Sequence, residues 1–94
     1  MSDGVTPGEA QQEINSGARW VDVRDDRSAQ WSQMPNAVFL PLEYLRERLG
    51  ELDVQGRYIC YCENGRMSAT AAFLMRQRGY DASVLQGGLK SVRK

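Results

Sequence analysis

Tyr58-Ile59-Cys60-Tyr61-Cys62-Glu63-Asn64-Gly65-Arg66-Met67-Ser68 passes from an apolar, β-prone run into a short polar segment with a single glycine. Residues 58–61 predict a strand. The segment from Cys62 to Ser68 predicts a tight loop, with Gly65 where the backbone turns sharply and Ser68 at an N-cap position. A helix is then expected from about Ser68 to Arg78, with Gly79 as its C′ residue. Strand, loop and helix over such short connections form a βα unit, in which a parallel sheet is covered by helices.

The same alternation extends outward in both directions. Thr6-Pro7-Gly8-Glu9 combines a hydroxyl N-cap, a proline at the first helical position and a glutamate three residues after the threonine, predicting a helix to about Ser16 that ends at Gly17. Trp20-Val21-Asp22-Val23 reads as a strand, after which Asp25-Asp26 can cap a brief helix through Trp31. Ala37-Val38-Phe39-Leu40, closed by Pro41, suits a strand buried on both faces. Leu42, Leu45, Leu49 and Leu52 recur at helical spacing, predicting a helix that ends near Gly50. Ala82-Ser83-Val84-Leu85 is the last expected strand, and Gln86-Gly87-Gly88 the turn after it. The fold class is α/β, with a mainly parallel central β-sheet flanked by helices on both faces.

Ninety-four residues fit one compact domain, residues 1–94, and the abrupt ending at Val92-Arg93-Lys94 is compatible with a domain cut from a longer protein. Twelve lysines and arginines balance twelve aspartates and glutamates, so no overall field favours nucleic acid or an anionic membrane. The polar first residues and the lack of any long apolar window place the chain in the cytoplasm rather than in a membrane or a secretory route. The chain has no histidine, which removes Ser-His-Asp hydrolysis, Cys-His proteolysis and most catalytic zinc sites. Two cysteines separated by one residue provide neither a disulfide framework nor a metal-ligand set.

In parallel α/β sheets, ligands bind beyond the carboxyl ends of strands, and Cys62 falls at such a point. A loop of this length can curl around one atom, so that backbone N–H groups and the helix N-terminus face the sulfur and stabilise a thiolate without histidine. Arg66 adds a positive charge to the rim. Glu63 has the opposite effect if its carboxylate faces the pocket, and would weaken binding of a dianionic donor such as thiosulfate. Cys60, inside the apolar strand, reads as a packing residue. Trp20 and Trp31 read as core or rim packing, and Gly87-Gly88 lacks the spacing of a dinucleotide site.

Cys62-Glu63-Asn64-Gly65-Arg66-Met67-Ser68 resembles the active-site loop Cys-x-x-Gly-Arg-x-Ser of the rhodanese-like (single-domain sulfurtransferase) family. Trp20-Val21-Asp22-Val23-Arg24 resembles that family's Asp-Val-Arg segment, and Met34-Pro35-Asn36-Ala37-Val38-Phe39-Leu40-Pro41 its Ile-Pro-Gly-Ala-x-x-Ile-Pro stretch. Arg78-Gly79-Tyr80-Asp81 with Val84-Leu85-Gln86-Gly87-Gly88 resembles its closing Gly-Tyr and Gly-Gly strand. The resemblance implies a rhodanese-like fold and a sulfurtransferase that moves sulfane sulfur from a donor such as thiosulfate or polysulfide to a thiol or cyanide through a persulfide on Cys62. It implies substrate contacts from Glu63, Asn64, Gly65, Arg66, Met67 and Ser68, and bracing of the loop by Asp22 and Arg24. The implied chemistry needs no metal or organic cofactor. Its partners are small-molecule sulfur donors and acceptors, a protein acceptor being compatible with the same step. The chain departs from the family at Asn36, which replaces a glycine, at Leu89, which replaces a tryptophan, and in lacking the Gly-His before the Ile-Pro stretch. These departures bear on how the pocket mouth is lined.

Three other readings share the loop. Rhodanese-fold phosphatases resemble Cys-x5-Arg, with an arginine six positions after the nucleophile to clamp phosphate; that position here is Ser68, and Arg66 comes two residues too early. A non-catalytic or sulfur-sensing module within a larger regulatory protein keeps the same fold. Arsenate reduction needs only a reactive thiol and an anion cradle.

Overall fold

A computed structural model of the chain describes residues 4–25 and 34–92. Five strands form one sheet: β1 Gly4–Val5, β2 Arg19–Asp22, β3 Val38–Phe39, β4 Arg57–Tyr61 and β5 Asp81–Leu85, in the order β1-β5-β4-β2-β3. Every pairing is parallel. The α/β class expected from the alternation is therefore present, with β4 at the centre of the sheet. The brief helix expected after Asp25-Asp26, together with Trp31, lies outside the described residues.

Side chains on successive strand residues point to opposite faces, and β4 shows how this divides the core. Tyr58 and Cys60 pack with Val21, Leu45, Leu49, Ala71, Ala72, Met75 and Val84 on one side. Ile59 and Tyr61 pack with Ala10, Trp20, Leu85 and Leu89 on the other. Helix α1 (Pro7–Asn15) contributes Ala10 to the second layer and starts on a complete capping box, in which Thr6 and Glu9 satisfy each other's backbone N–H groups. Such caps contribute about 1 kcal/mol. Helix α3 (Arg66–Gln77) covers the first layer with Ala71, Ala72 and Met75, and ends at Gly79, whose φ of +89° is the left-handed turn expected of a C′ glycine.

Several expectations change in detail. The helix expected over Leu42 to Gly50 is a 3-10 turn at Leu42–Tyr44, a single α turn at Leu45–Arg48, here α2, and a second 3-10 turn at Leu49–Glu51. No side chain caps any of these turns. The leucine stripe is nonetheless satisfied, because Leu45, Leu49 and Leu52 are buried and Leu42 packs beside them. β3 lies at the edge of the sheet and is half-buried rather than covered on both faces. β1 went unforeseen, since two residues are too short to show a period. Among the described residues, no helix is long and apolar enough to cross a membrane.

Candidate active site

Cys62 follows the last residue of β4 and is buried. Its Sγ accepts a hydrogen bond from the Gly65 N–H at 3.2 Å and another from the Ser68 N–H at 3.4 Å, and lies 3.5 Å from the Ser68 hydroxyl. The amide pair exists because of Gly65, whose φ of +93° turns the chain so that its own N–H and the first turn of α3 face back toward the sulfur. An L-residue adopts that conformation only under strain. The two donors and the helix N-terminus thus converge on Sγ, the arrangement by which backbone amides hold anionic groups.

The position of Ser68 corrects the sequence expectation. Helix α3 begins at Arg66, with Gly65 as its N-cap, so Ser68 is the third helical residue and not the cap. It is fully buried, with both its amide and its hydroxyl directed at Cys62. Asn64 takes a local turn role instead: its Oδ1 accepts from the Arg66 N–H at 3.0 Å. That oxygen is 4.0 Å from Sγ. Arg66 and Met67 are exposed at the helix start.

Asp22 and Arg24 lie beneath the loop as a buried ion pair. Arg24 donates to Asp22 through Nε at 3.0 Å and Nη2 at 2.8 Å, while its Nη1 reaches Glu63 Oε1 at 3.4 Å. Hydrogen bonding to Asp22 holds the Arg24 guanidinium above its ordinary range despite burial. The carboxylate of Glu63 is thus tied to Arg24. Asp22 Oδ2 also accepts from the Tyr61 hydroxyl at 3.1 Å, and that hydroxyl accepts from the Met34 N–H at 3.0 Å. No buried side-chain nitrogen or oxygen among the described residues lacks a hydrogen-bond partner. A charged pair this deep is tolerated only when so completely bonded.

Two supports escaped the sequence reading. Tyr61 read as a strand residue, yet its hydroxyl joins Asp22 to the Met34 backbone and its ring lies 5.7 Å from the Arg24 guanidinium carbon. The glycine pair read as a simple turn, yet the 3-10 segment Gly88–Ser91 secures the base of the loop. The Leu89 N–H donates to the Cys62 carbonyl at 2.9 Å and the Lys90 N–H to the Glu63 carbonyl at 3.1 Å. Gly88, at φ +63°, approaches so closely that a Cβ would overlap the carbonyl oxygens of Cys62 and Glu63. The Gly-Gly sequence was the available signal for that approach. Asn36 has a φ of +59°, the left-handed region open to glycine and tolerated best by asparagine among side-chain-bearing residues, so its departure from the family pattern keeps the backbone course. Leu89 is buried in the second core layer. Among the described residues, no group of His, Cys, Asp or Glu side chains converges as a metal-binding cluster.

A model of the family described as Rhodanese-like domain matches residues 6–94. The chain belongs to this family. It is similar to the thiosulfate sulfurtransferase PspE of Escherichia coli (strain K12), 31% identical over 81 residues that cover 84% of this chain and 78% of that protein. It is also similar to the tRNA sulfurtransferase of Edwardsiella ictaluri (strain 93-146), 35% identical over 65 residues, or 65% of this chain. The matched region spans 14% of that relative's length. The crystal structure of a rhodanese homolog from the extremely thermophilic bacterium Thermus thermophilus superimposes with a TM-score of 0.76 at 34% identity, covering 94% of this chain and 98% of that one. Both relatives are named as sulfurtransferases.

Proposed function

We propose that the chain is a sulfurtransferase in which Cys62 carries sulfane sulfur as a persulfide. The observation that supports this most directly is the pair of amides at 3.2 and 3.4 Å from Cys62 Sγ, beside the Ser68 hydroxyl. The Cys62 thiolate attacks the outer sulfur of a donor such as thiosulfate or polysulfide. A new S–S bond forms to Sγ, the bond inside the donor breaks, and the remainder of the donor (sulfite, for thiosulfate) leaves with the electron pair. The amides and the helix N-terminus stabilise the resulting persulfide anion. A thiol or cyanide then takes the outer sulfur and the Cys62 thiolate is released. Gly65 and Ser68 supply amides to the sulfur, and Glu63, Asn64, Arg66 and Met67 complete the loop. Asp22 and Arg24 position it through the Arg24–Glu63 contact, aided by Tyr61.

The absence of an arginine at position 68 weighs against phosphoryl transfer, since the atoms facing the sulfur there are an amide and a hydroxyl. A second reading, a module within a longer protein, draws on the tRNA sulfurtransferase relative, of which the matched region is a small part.

Intact-mass measurement tests the proposal. Reduced protein incubated with thiosulfate, or separately with polysulfide, is expected to gain one sulfur atom that cyanide removes, and Cys62→Ser is expected to gain none. Failure of both donors to load the wild type, or equal loading of Cys62→Ser, overturns it.

A further inference from the structure

The 3-10 segment Gly88–Ser91 follows β5 and runs beside the start of the Cys62 loop. The Leu89 N–H donates to the Cys62 carbonyl and the Lys90 N–H to the Glu63 carbonyl, so two successive carbonyls of the loop are fastened to two successive amides of the segment. A peptide is planar, with its C=O and the N–H of the next residue pointing in opposite directions. Holding these two oxygens on the segment therefore turns the Glu63 and Asn64 N–H groups away from it, and fixes the direction in which the chain enters the Gly65 turn. The segment is itself anchored. Leu89 is buried in the second core layer, and the Ser91 hydroxyl donates to the Gly88 carbonyl at 2.7 Å. The close approach exists because residue 88 has no side chain, since a Cβ there would overlap both held oxygens.

We propose that Gly88 is a positioning residue for sulfur transfer: by letting the segment close onto the Cys62 and Glu63 carbonyls, it sets the directions of the Gly65 and Ser68 amides that hold Cys62 Sγ. The inference rests on the persulfide reading of Cys62 and deepens it by naming what keeps the amides aimed. A hydrogen bond weakens steeply as its angle departs from linear, so a small displacement of the loop start deprives the sulfur of its donors. The sheet is not disturbed with it, because β4 ends at Tyr61, before either fastened carbonyl. The neighbouring glycine provides a matched comparison. Gly87 and Gly88 both adopt left-handed φ values, +75° and +63°, so alanine is strained at either position. A Cβ at position 87, however, has only Ser91 atoms as its nearest neighbours, the first at 3.0 Å, and does not press on the Cys62 loop.

The test compares the full chain with its Gly88→Ala and Gly87→Ala variants, each shown to be folded by urea unfolding, and reads the rate of sulfur loading from polysulfide by intact mass. Gly88→Ala is expected to load at least about tenfold more slowly than Gly87→Ala. Gly87→Ala is expected to stay within about threefold of the wild type. Two further readouts separate positioning from general loosening. Cys60, inside β4, should resist alkylation in native Gly88→Ala, and amide hydrogen exchange should quicken at Gly65 and Ser68 while staying unchanged through β4. Ser91→Ala, which removes the hydroxyl that closes the segment, should quicken exchange at the same two amides by a smaller factor, and this variant decides the matter if Gly88→Ala does not fold. Equal loading of the two glycine variants, or unchanged exchange at Gly65 and Ser68 in the folded variant, overturns the inference. Slow loading accompanied by native modification of Cys60 ascribes the loss to the core and overturns it too. A wild type that never loads refutes the persulfide reading, and the exchange measurements then decide by themselves whether Gly88 aims the amides.

Discussion

Cys60 and Cys62 carry the same thiol two residues apart and sit in the same core layer, yet their surroundings prepare them for opposite fates. Cys60 lies inside β4, fully buried, with its sulfur 3.5 Å from the Met75 sulfur. Burial pushes its thiol up to about 12, because a thiolate there loses its water, a cost larger than the pull of the Arg76 charge. Cys62 is almost equally buried, but the strand has ended and the backbone supplies two N–H donors to Sγ. Burial is therefore shared by the two cysteines; what differs is the direction of the adjacent peptide groups, on which the proposed reactivity of Cys62 rests.

The largest effect expected from this contrast is in thiol chemistry. With native protein near neutral pH, a small alkylating reagent should modify Cys62 and leave Cys60 untouched until the chain is unfolded, as read by peptide mass. Cys60→Ala should retain sulfur loading within about twofold, since Sγ of Cys62 keeps both amide donors. Prompt native modification of Cys60, or loss of loading in Cys60→Ala, would break the contrast.

A second effect bears on what holds the Cys62 loop in place. Arg24→Met leaves Asp22 buried with its Tyr61 and backbone contacts but without its countercharge, and removing one member of a buried pair costs about 3–5 kcal/mol. Urea unfolding should show a loss of that size at neutral pH. Adding Asp22→Asn to Arg24→Met should recover part of it, because the unpaired charge is then gone. If Arg24→Met is as stable as the wild type, the pair does not brace the loop.

Much of this arrangement is legible in the sequence because it is local. The segment from Tyr58 to Ser68 contains its own strand, its turn glycine and the cysteine that the loop closes around, so the loop geometry at Cys62 and Gly65 is legible without knowledge of distant residues. What escapes is whatever depends on contacts between segments. The role of Ser68 changes because Gly65 takes the cap in a left-handed conformation and starts the helix two residues early, turning the serine inward. The Tyr61 hydroxyl depends on which face of β4 looks toward Asp22 and on where the Met34 backbone lies, neither of which leaves a trace in local spacing. Gly88 is visible as a glycine, but its approach to Cys62 requires the far end of β5 to return beside β4. The leucine stripe signals burial correctly and helix type only partly, since 3-10 and α turns both bring residues three or four apart to one side.

Alkaline stability gives the finest test of the two environments. The Cys60 thiol rises from an ordinary 9 to about 12 in the folded chain, and the Tyr61 hydroxyl from 10 to about 12, in both cases chiefly through burial. Each folded-state value lies above the unfolded one, so the unfolded chain releases its proton first as pH rises. The contribution of Cys60 is fully present below about pH 9 and is lost between 9 and 12; that of Tyr61 begins to be lost near 10. Urea midpoints of the wild type should therefore decline from pH 9 upward. Cys60→Val should fall less steeply between 9 and 10, and Tyr61→Phe should fall less steeply only above 10, whatever their absolute stabilities. The slope is the deciding quantity, because either substitution also changes packing at every pH. A Cys60→Val slope equal to that of the wild type over pH 9–10 means that the Cys60 thiol ionises in the core without penalty, and the distinction between the two cysteines would then have to be sought in access rather than in desolvation.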